Sequence, residues 1–157
     1  DILKFTTPVL DSPIEVVGNI RAELFIKSNC SDTDFTAKLM DVYPDGREMW
    51  VAEGILKARY RDGFDQAINM SLGQTYELDI DMWSTAYRFV PGHKIKISIT
   101  SSNWPKFAVN PNTGTKVLDT YPFNFTRDGV DINIANNSVA CGISGNMSKI
   151  WFPRSNV

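Results

Sequence analysis

Residues 76–82 read YELDIDM, and this stretch decides the fold. Apolar side chains at 76, 78, 80 and 82 alternate with carboxylates at 77, 79 and 81. A period of two is typical of a β-strand that turns one face to a core and the other to water. The stretch therefore predicts a half-buried strand. Glu77, Asp79 and Asp81 are interpreted as its solvated face rather than as the paired carboxylates of a glycosidase.

The same period recurs on both sides of this stretch, in residues 20–27 (IRAELFIK), 35–39 (FTAKL) and 95–99 (IKISI). Turn signals separate these strands, because residues 43–46 read YPDG and residues 90–93 read VPGH. Proline presets φ and glycine accepts a positive φ, so each sequence suits a tight turn. The first turn predicts a hairpin with a return strand over about 48–52. Residues 54–61 (GILKARYR) fit either a strand or an irregular turn.

Several short strands separated by turns, without a helical stripe, predict an all-β sandwich or barrel. The 157 residues suit one domain, so we expect a single β-sandwich domain over 1–157, with 1–13 as a linker or first strand. Residues 104–118 are rich in Pro and Asn and predict a long ordered or functional loop. Residues 150–152 (IWF) predict a closing strand.

Composition and charge argue against several partner classes. The net charge is −2 and no run of Lys and Arg is present, which disfavours nucleic acid and anionic membranes as partners. No apolar stretch approaches the ~20 residues of a membrane helix, and no signal peptide is visible. The chain begins at Asp1 and is expected to be a trimmed or processed product. The compartment stays open, with the cytoplasm favoured over secretion. The N-x-Ser/Thr sequons matter only in a secreted eukaryotic protein, and they begin at Asn29, Asn69, Asn124, Asn136 and Asn146.

The residues offer no catalytic set, cofactor site or metal site. A serine hydrolase needs a base, and His93 is expected to face water from its turn. Residues 142–145 (GISG) approach the G-x-S-x-G nucleophile elbow but lack its spacing, so they are interpreted as a turn. Cys30 and Cys141 are expected to be buried or half-buried free thiols, with a disulfide as the alternative, and no zinc ligands accompany them.

Two acidic residues near the start of the predicted strand at 35–39 have two interpretations. Asp32 and Asp34 could cap a turn or bind Ca²⁺ weakly, and we favour the turn because calcium needs six or more oxygens. Arg47, Arg59 and Arg61 are expected to pair with these two carboxylates inside the domain.

The aromatic residues divide by position. Trp83 and Tyr87 are expected to pack in the core. Trp104 and Phe107 lie in the irregular loop, where an interface role has even odds with core packing.

The order of segments is itself informative. Residues 32–47 read DTDFTAKLMDVYPDGR, followed by GILKARYR, YELDIDM, VPGHKIKISIT (90–100) and SSNWPKFAVNPNTG (101–114). This order resembles the C-terminal domain of the X-Pro dipeptidyl-peptidase and cocaine esterase family of serine hydrolases. The resemblance covers nearly the whole chain and is weakest after Gly114.

The resemblance implies a jelly-roll sandwich of the galactose-binding-like type that follows an α/β-hydrolase catalytic domain and a helical cap. In that family the catalytic Ser, Asp and His belong to the α/β-hydrolase domain, so no catalytic residue carries over to this chain. The implied partner is the α/β-hydrolase domain of the same parent chain. The domain would pack on it, help to wall its substrate pocket and support a homo-oligomer.

The loop from Ser102 to Gly114 is the best candidate for the interdomain surface. The candidate surface residues are Trp83, Asn103, Trp104, Lys106, Phe107, Asn110 and Asn112. One alternative is a free-standing carbohydrate-binding module with Trp83 or Trp104 as an exposed platform, although fold alone supports it weakly. A secreted interaction domain glycosylated at its sequons is a third possibility.

Overall fold

The computed structural model describes residues 1–114, 132–142, 145 and 147–153. Four earlier expectations lie wholly or partly outside these residues: the end of the predicted loop at 115–118, Ile143 and Ser144 of the GISG stretch, and the sequons at Asn124 and Asn146. The described residues form eight strands and one 3₁₀ helix, Ala58–Tyr60. The strands are β1 (Leu3–Thr6), β2 (Ile14–Ser28), β3 (Asp34–Val42), β4 (Glu48–Lys57), β5 (Thr75–Phe89), β6 (Lys94–Thr100), β7 (Asn137–Val139) and β8 (Lys149–Trp151).

Two antiparallel sheets divide these strands. Sheet A has the order β1-β6-β3-β4, and sheet B has the order β5-β2-β7, with β8 also pairing with β2. Leu78, Ile80 and Met82 of the YELDIDM stretch are fully buried, so the predicted alternation is confirmed. They share one core with buried side chains of sheet A such as Phe35 and Leu39. The all-β sandwich is therefore confirmed.

Three local predictions need correction or completion. The return strand β4 continues to Lys57, and only Ala58–Tyr60 of the ambiguous GILKARYR stretch forms a turn of 3₁₀ helix. Trp83 does not pack in the core, because the register of the β2–β5 pairing shifts between Asn19 and Arg21. Trp83 is 74% exposed, and its backbone φ is 69°. Tyr87 packs against the core as expected.

The sheets come closest where β4 meets β5. A Cβ on Gly54 would lie much closer to the Asp81 carbonyl oxygen than the van der Waals contact distance allows. Only glycine lets the two backbones approach this closely. Gly54 therefore fixes one edge of the sandwich at the strand bulge that precedes Trp83.

The two ends of the sandwich differ. One end, here called the turn end, carries the tight connections β3–β4 (residues 43–47) and β5–β6 (residues 90–93). The other end, here called the loop end, carries the connection at residues 29–33, the long connection at residues 58–74 and the start of the segment that follows β6. Among the described residues, no helix is long and apolar enough to cross a bilayer.

Candidate functional site

The loop that follows β6, residues 101–114, lies over the outer face of sheet A. Lys38 of β3 and Glu53 of β4 are paired across that face. Asn103 connects the loop to both, because its amide nitrogen donates to Glu53 (3.0 Å) and its oxygen accepts from Lys38 (2.7 Å). Glu53 also forms an ion pair with Lys106 and is almost completely buried under the loop. The loop is thus fixed at its start by a buried carboxylate.

Aromatic rings complete this attachment. The Lys106 ammonium lies 4.8 Å from the ring centroid of Trp50 and 5.6 Å from that of Phe107. A cation over an aromatic face is attracted by the ring quadrupole. The structure therefore brings Asn103, Lys106 and Phe107 close to one another, and Asn103 and Lys106 line an open cavity of about 340 Å³. Trp50 and Glu53 were missed, because only the β3–β4 register reveals that they face this loop.

Asn110 anchors the far end of the loop and is not a surface residue. Its side chain is only 4% exposed, and its amide nitrogen donates to Asp32 (3.0 Å) and Asp34 (2.7 Å). Its oxygen accepts from the backbone of Asn112 (2.9 Å). Two buried carboxylates need donors, and this need draws Asn110 into the interior. The expectation that Asn110 lies on the interdomain surface is corrected accordingly.

Asp32 and Asp34 form the buried polar cluster of the loop end. Asp32 accepts the backbone N–H of Arg59 (3.1 Å) and pairs with its guanidinium (3.5 Å), and Asp34 pairs with Lys57 (3.2 Å). Burial raises the pKa of the Asp34 carboxyl, and the Lys57 ammonium opposes that effect. Within the described part of the chain, no group of three or more His, Cys, Asp or Glu residues could hold a metal ion.

The three arginines behave differently from one another. Arg59 pairs with Asp32, which confirms its expected role. Arg47 pairs with Asp45 in its own turn, and Arg61 pairs with Asp62 next to it. The expectation was wrong for these two because a nearby carboxylate in sequence is reached without crossing the domain.

The remaining two candidates lie apart. The Asn112 backbone has φ at 61°, and its side chain donates to the carbonyl of Asn133 (2.9 Å), which ties the loop to the segment before β7. Trp83 belongs to sheet B, whereas the other candidates belong to the loop over sheet A. The Trp83 backbone N–H donates to the Asp81 side chain, and so does the amide of Asn19 (both 2.8 Å).

His93 does not face water, contrary to expectation. Its side chain is 12% exposed, and Nδ1 lies 2.9 and 3.0 Å from the two carboxylate oxygens of Asp41. The Tyr87 hydroxyl donates to the same carboxylate (2.9 Å), and the Tyr43 ring lies 4.4 Å from the imidazole. Burial raises the pKa of Tyr87, and the Asp41 carboxylate raises it further. This cluster joins sheet A to sheet B at the turn end.

The cluster is not a catalytic triad as far as the described residues show. No serine hydroxyl among them hydrogen-bonds to His93, so a base and an acid are present without a nucleophile beside them. Both cysteines are free thiols as expected, and Cys30 is buried. Cys141 is exposed, so the expectation that it would be buried or half-buried was wrong.

The described residues thus form an antiparallel β-sandwich with a buried polar cluster at each end and a loop attached over sheet A. Residues 1–139 match the family model described as the X-Pro dipeptidyl-peptidase C-terminal non-catalytic domain, so the chain belongs to that family. It is similar to the cocaine esterase of Rhodococcus sp. (strain MB1 Bresler), with 46% identity over 114 residues, which are 73% of this chain and 20% of the relative.

Two solved structures agree with this assignment. An α-amino acid ester hydrolase superposes on 99% of this chain and 26% of its own, with TM-score 0.82 and 26% identity. An aminopeptidase of a marine sediment archaeon, Thaumarchaeota archaeon, superposes on 72% of this chain and 20% of its own, with TM-score 0.69 and 31% identity. The chain therefore spans about a fifth to a quarter of the length of these relatives.

Proposed function

We propose that this chain acts as one accessory domain of a serine hydrolase that cleaves ester or amide bonds, and that it packs on the α/β-hydrolase catalytic domain of the same protein. The loop 101–114 forms the contact surface and helps to wall the substrate pocket. Support comes from family membership and from relatives of which this chain matches only 20% to 26% of the length.

One observation carries the choice of surface. The loop is held at both ends by buried side chains, Glu53 and the Asp32–Asp34 pair, yet Trp104 between them is 56% exposed. An ordered loop that keeps a tryptophan in water has already lost its conformational freedom, so a partner can bury the ring at little further entropic cost. Tryptophan is also enriched among residues that dominate interface energy.

The candidates then have separate roles. Asn103 and Lys106 fix the loop through Glu53, and Asn110 fixes it through Asp32 and Asp34. Trp104, Phe107 and Asn112 would contact the catalytic domain. Trp83, in the other sheet, would be a second contact or belong to an oligomer interface.

The test uses the longer hydrolase chain with Trp104→Ala. If the loop walls the pocket, the KM for a p-nitrophenyl acyl ester rises while kcat changes little, because binding is lost without loss of the catalytic groups. Val17→Ala is the matched control, since Val17 is an exposed apolar residue on sheet B. Unchanged KM and unchanged domain association in Trp104→Ala would reject the proposed surface.

A carbohydrate-binding role remains the second candidate, because Trp83 and Trp104 are both well exposed. Exposed indoles are the platforms on which sugar rings stack. A titration of the 157-residue chain against a glycan panel, followed by tryptophan fluorescence, separates the two functions. No response across the panel rejects this role. Sedimentation velocity on the longer hydrolase chain tests the proposed homo-oligomer.

A further inference from the structure

The segment between the 3₁₀ helix and β5, residues 62–74, carries three exposed large apolar side chains at the loop end. Phe64 is 81% exposed, Leu72 is 67% exposed and Ile68 is 43% exposed. These three side chains lie within nine positions of one another in the sequence. Three large apolar side chains on one loop form the kind of patch that marks an interaction site rather than scattered surface residues. This segment, here called the apolar knob, is a different part of the chain from the loop 101–114, and the two touch where the Asn69 amide donates to the Gly114 carbonyl (3.2 Å).

The apolar knob is held in place by the body of the domain. The N–H groups of Ile68, Met70 and Gly73 donate to the carbonyls of Arg59 (2.8 Å), Ser31 (2.7 Å) and Ser28 (2.8 Å). The Met70 side chain is buried in the core. A segment tied by long-range hydrogen bonds and a core side chain presents its exposed residues in a fixed arrangement.

The charge of the apolar knob is negative on its outer side. Arg61 is turned inward: its guanidinium donates to the carbonyls of Ala58 (3.0 Å) and Ile68 (2.7 Å) and lies 4.4 Å from the Tyr76 ring centroid. Asp65 and Asp62, the latter 3.4 Å from the Arg61 guanidinium, remain exposed, and residues 62–74 contain no Lys or Arg. A partner surface that accepts this knob would therefore need apolar side chains in its centre and basic groups at its rim.

We propose that the apolar knob inserts into an apolar recess rimmed by Arg or Lys side chains on the catalytic part of the longer hydrolase chain. The inference rests on the proposed function and adds a second contact to it. About four-fifths of the cocaine esterase relative lies outside the matched segment, since this chain covers 20% of it, so a large covering surface is available in the same polypeptide. A second copy of this chain fits less well, because it would bring Asp62 and Asp65 against like charges.

Hydroxyl-radical footprinting with mass spectrometry tests this inference without any substitution in the protein. Oxidation of Phe64 and Leu72 is compared between the 157-residue chain and the longer hydrolase chain. We expect several-fold protection of both in the longer chain, whereas Met49 at the turn end is oxidised equally in both. Protection of Trp104 without protection of Phe64 overturns the inference and leaves the proposed function standing. Protection of neither overturns both. Protection of Phe64 in a self-associated form of the 157-residue chain assigns the knob to a second copy and also overturns the inference.

A paired substitution gives an independent readout. Phe64→Ser with Leu72→Ser leaves the thermal midpoint of the 157-residue chain nearly unchanged, because both side chains are already exposed there. The same pair lowers the midpoint of the longer chain, where the side chains would be buried. Val9→Ser is the matched control, an exposed apolar residue before β2, and leaves both midpoints unchanged. Equal midpoints for wild type and the pair in the longer chain contradict the inference.

Discussion

The turn end and the loop end each have a buried carboxylate cluster, but they build it differently. At the turn end, Asp41 is held by Tyr87 of β5 and by His93, which ends the turn that follows β5 at residues 90–93. At the loop end, Asp32 and Asp34 depend on Asn110, which is 78 and 76 positions away. The comparison shows that one sandwich closes one end with short turns and the other with long loops that need a polar anchor.

This difference bears on function. At the turn end the polar side chains satisfy one another, and no long loop is presented to a partner. At the loop end the buried cluster holds the loop 101–114, while backbone hydrogen bonds to Ser28, Ser31 and Arg59 hold the apolar knob. Both segments carry exposed large apolar residues. Function therefore concentrates where a rigid scaffold supports long loops.

The largest expected effect is on the loop-end cluster. Asp32→Ala removes the acceptor of the Arg59 backbone N–H and of the Asn110 amide, and we expect a loss of about 3 kcal/mol in the free energy of unfolding. Urea unfolding followed by tryptophan fluorescence measures it. Asp45→Ala, at an exposed carboxylate of the turn end, is the control and has a much smaller effect. Equal losses in the two variants would contradict the anchoring role of Asp32.

The turn end gives the next effect. Tyr87→Phe removes one hydrogen bond to Asp41 and costs about 1 kcal/mol. Because the folded-state pKa of Tyr87 is raised above the ~10 of an unfolded tyrosine, its contribution is complete below pH ~10 and is lost as the pH rises further. Wild type therefore loses stability above pH ~10 more steeply than Tyr87→Phe. Parallel pH curves for the two proteins would show that this hydroxyl is not coupled to folding.

The Asp34 carboxyl lowers the stability of the fold as the pH rises, which is opposite in sign to the effect of the carboxylates that cause acid denaturation. Its folded-state pKa is raised, so its contribution is present below the ~3.9 of an unfolded aspartate and is lost as the pH rises through the folded-state value. Asp34→Asn lacks this loss. The thermal midpoint of Asp34→Asn relative to wild type should therefore increase as the pH rises above about 4. A relative midpoint that decreases over this range would mean that Lys57 outweighs burial.

The smallest effect concerns the start of the loop. Lys106→Gln removes a half-exposed ion pair with Glu53 and the cation above Trp50, and costs about 0.5 kcal/mol. Hydrogen exchange of residues 102–108 should nevertheless accelerate, because the loop loses the Lys106–Glu53 attachment to sheet A and keeps only the one through Asn103. Lys149→Gln, in an exposed pair with Glu23 on sheet B, is the control and leaves that exchange unchanged. An unchanged rate in Lys106→Gln would remove Lys106 from the attachment.

The sequence predicts the features that depend on local chemistry. The alternation of YELDIDM and the YPDG and VPGH turns required only near neighbours, and the structure confirms them. The exposure of Trp83 depends on a register shift in β2, and the burial of His93 depends on Asp41 from another strand. The role of Glu53 follows from strand pairing, and the apolar knob has no periodic pattern at all. These features arise from long-range packing, which a single sequence does not display.

A direct test of the central account is an esterase assay on the 157-residue chain itself. The account predicts that p-nitrophenyl acyl esters are hydrolysed at the rate of the buffer alone, because the described part of the chain places no nucleophile beside the His93–Asp41 pair. Turnover above that rate that disappears in His93→Ala would contradict the account, since the buried pair would then be a catalytic base and acid.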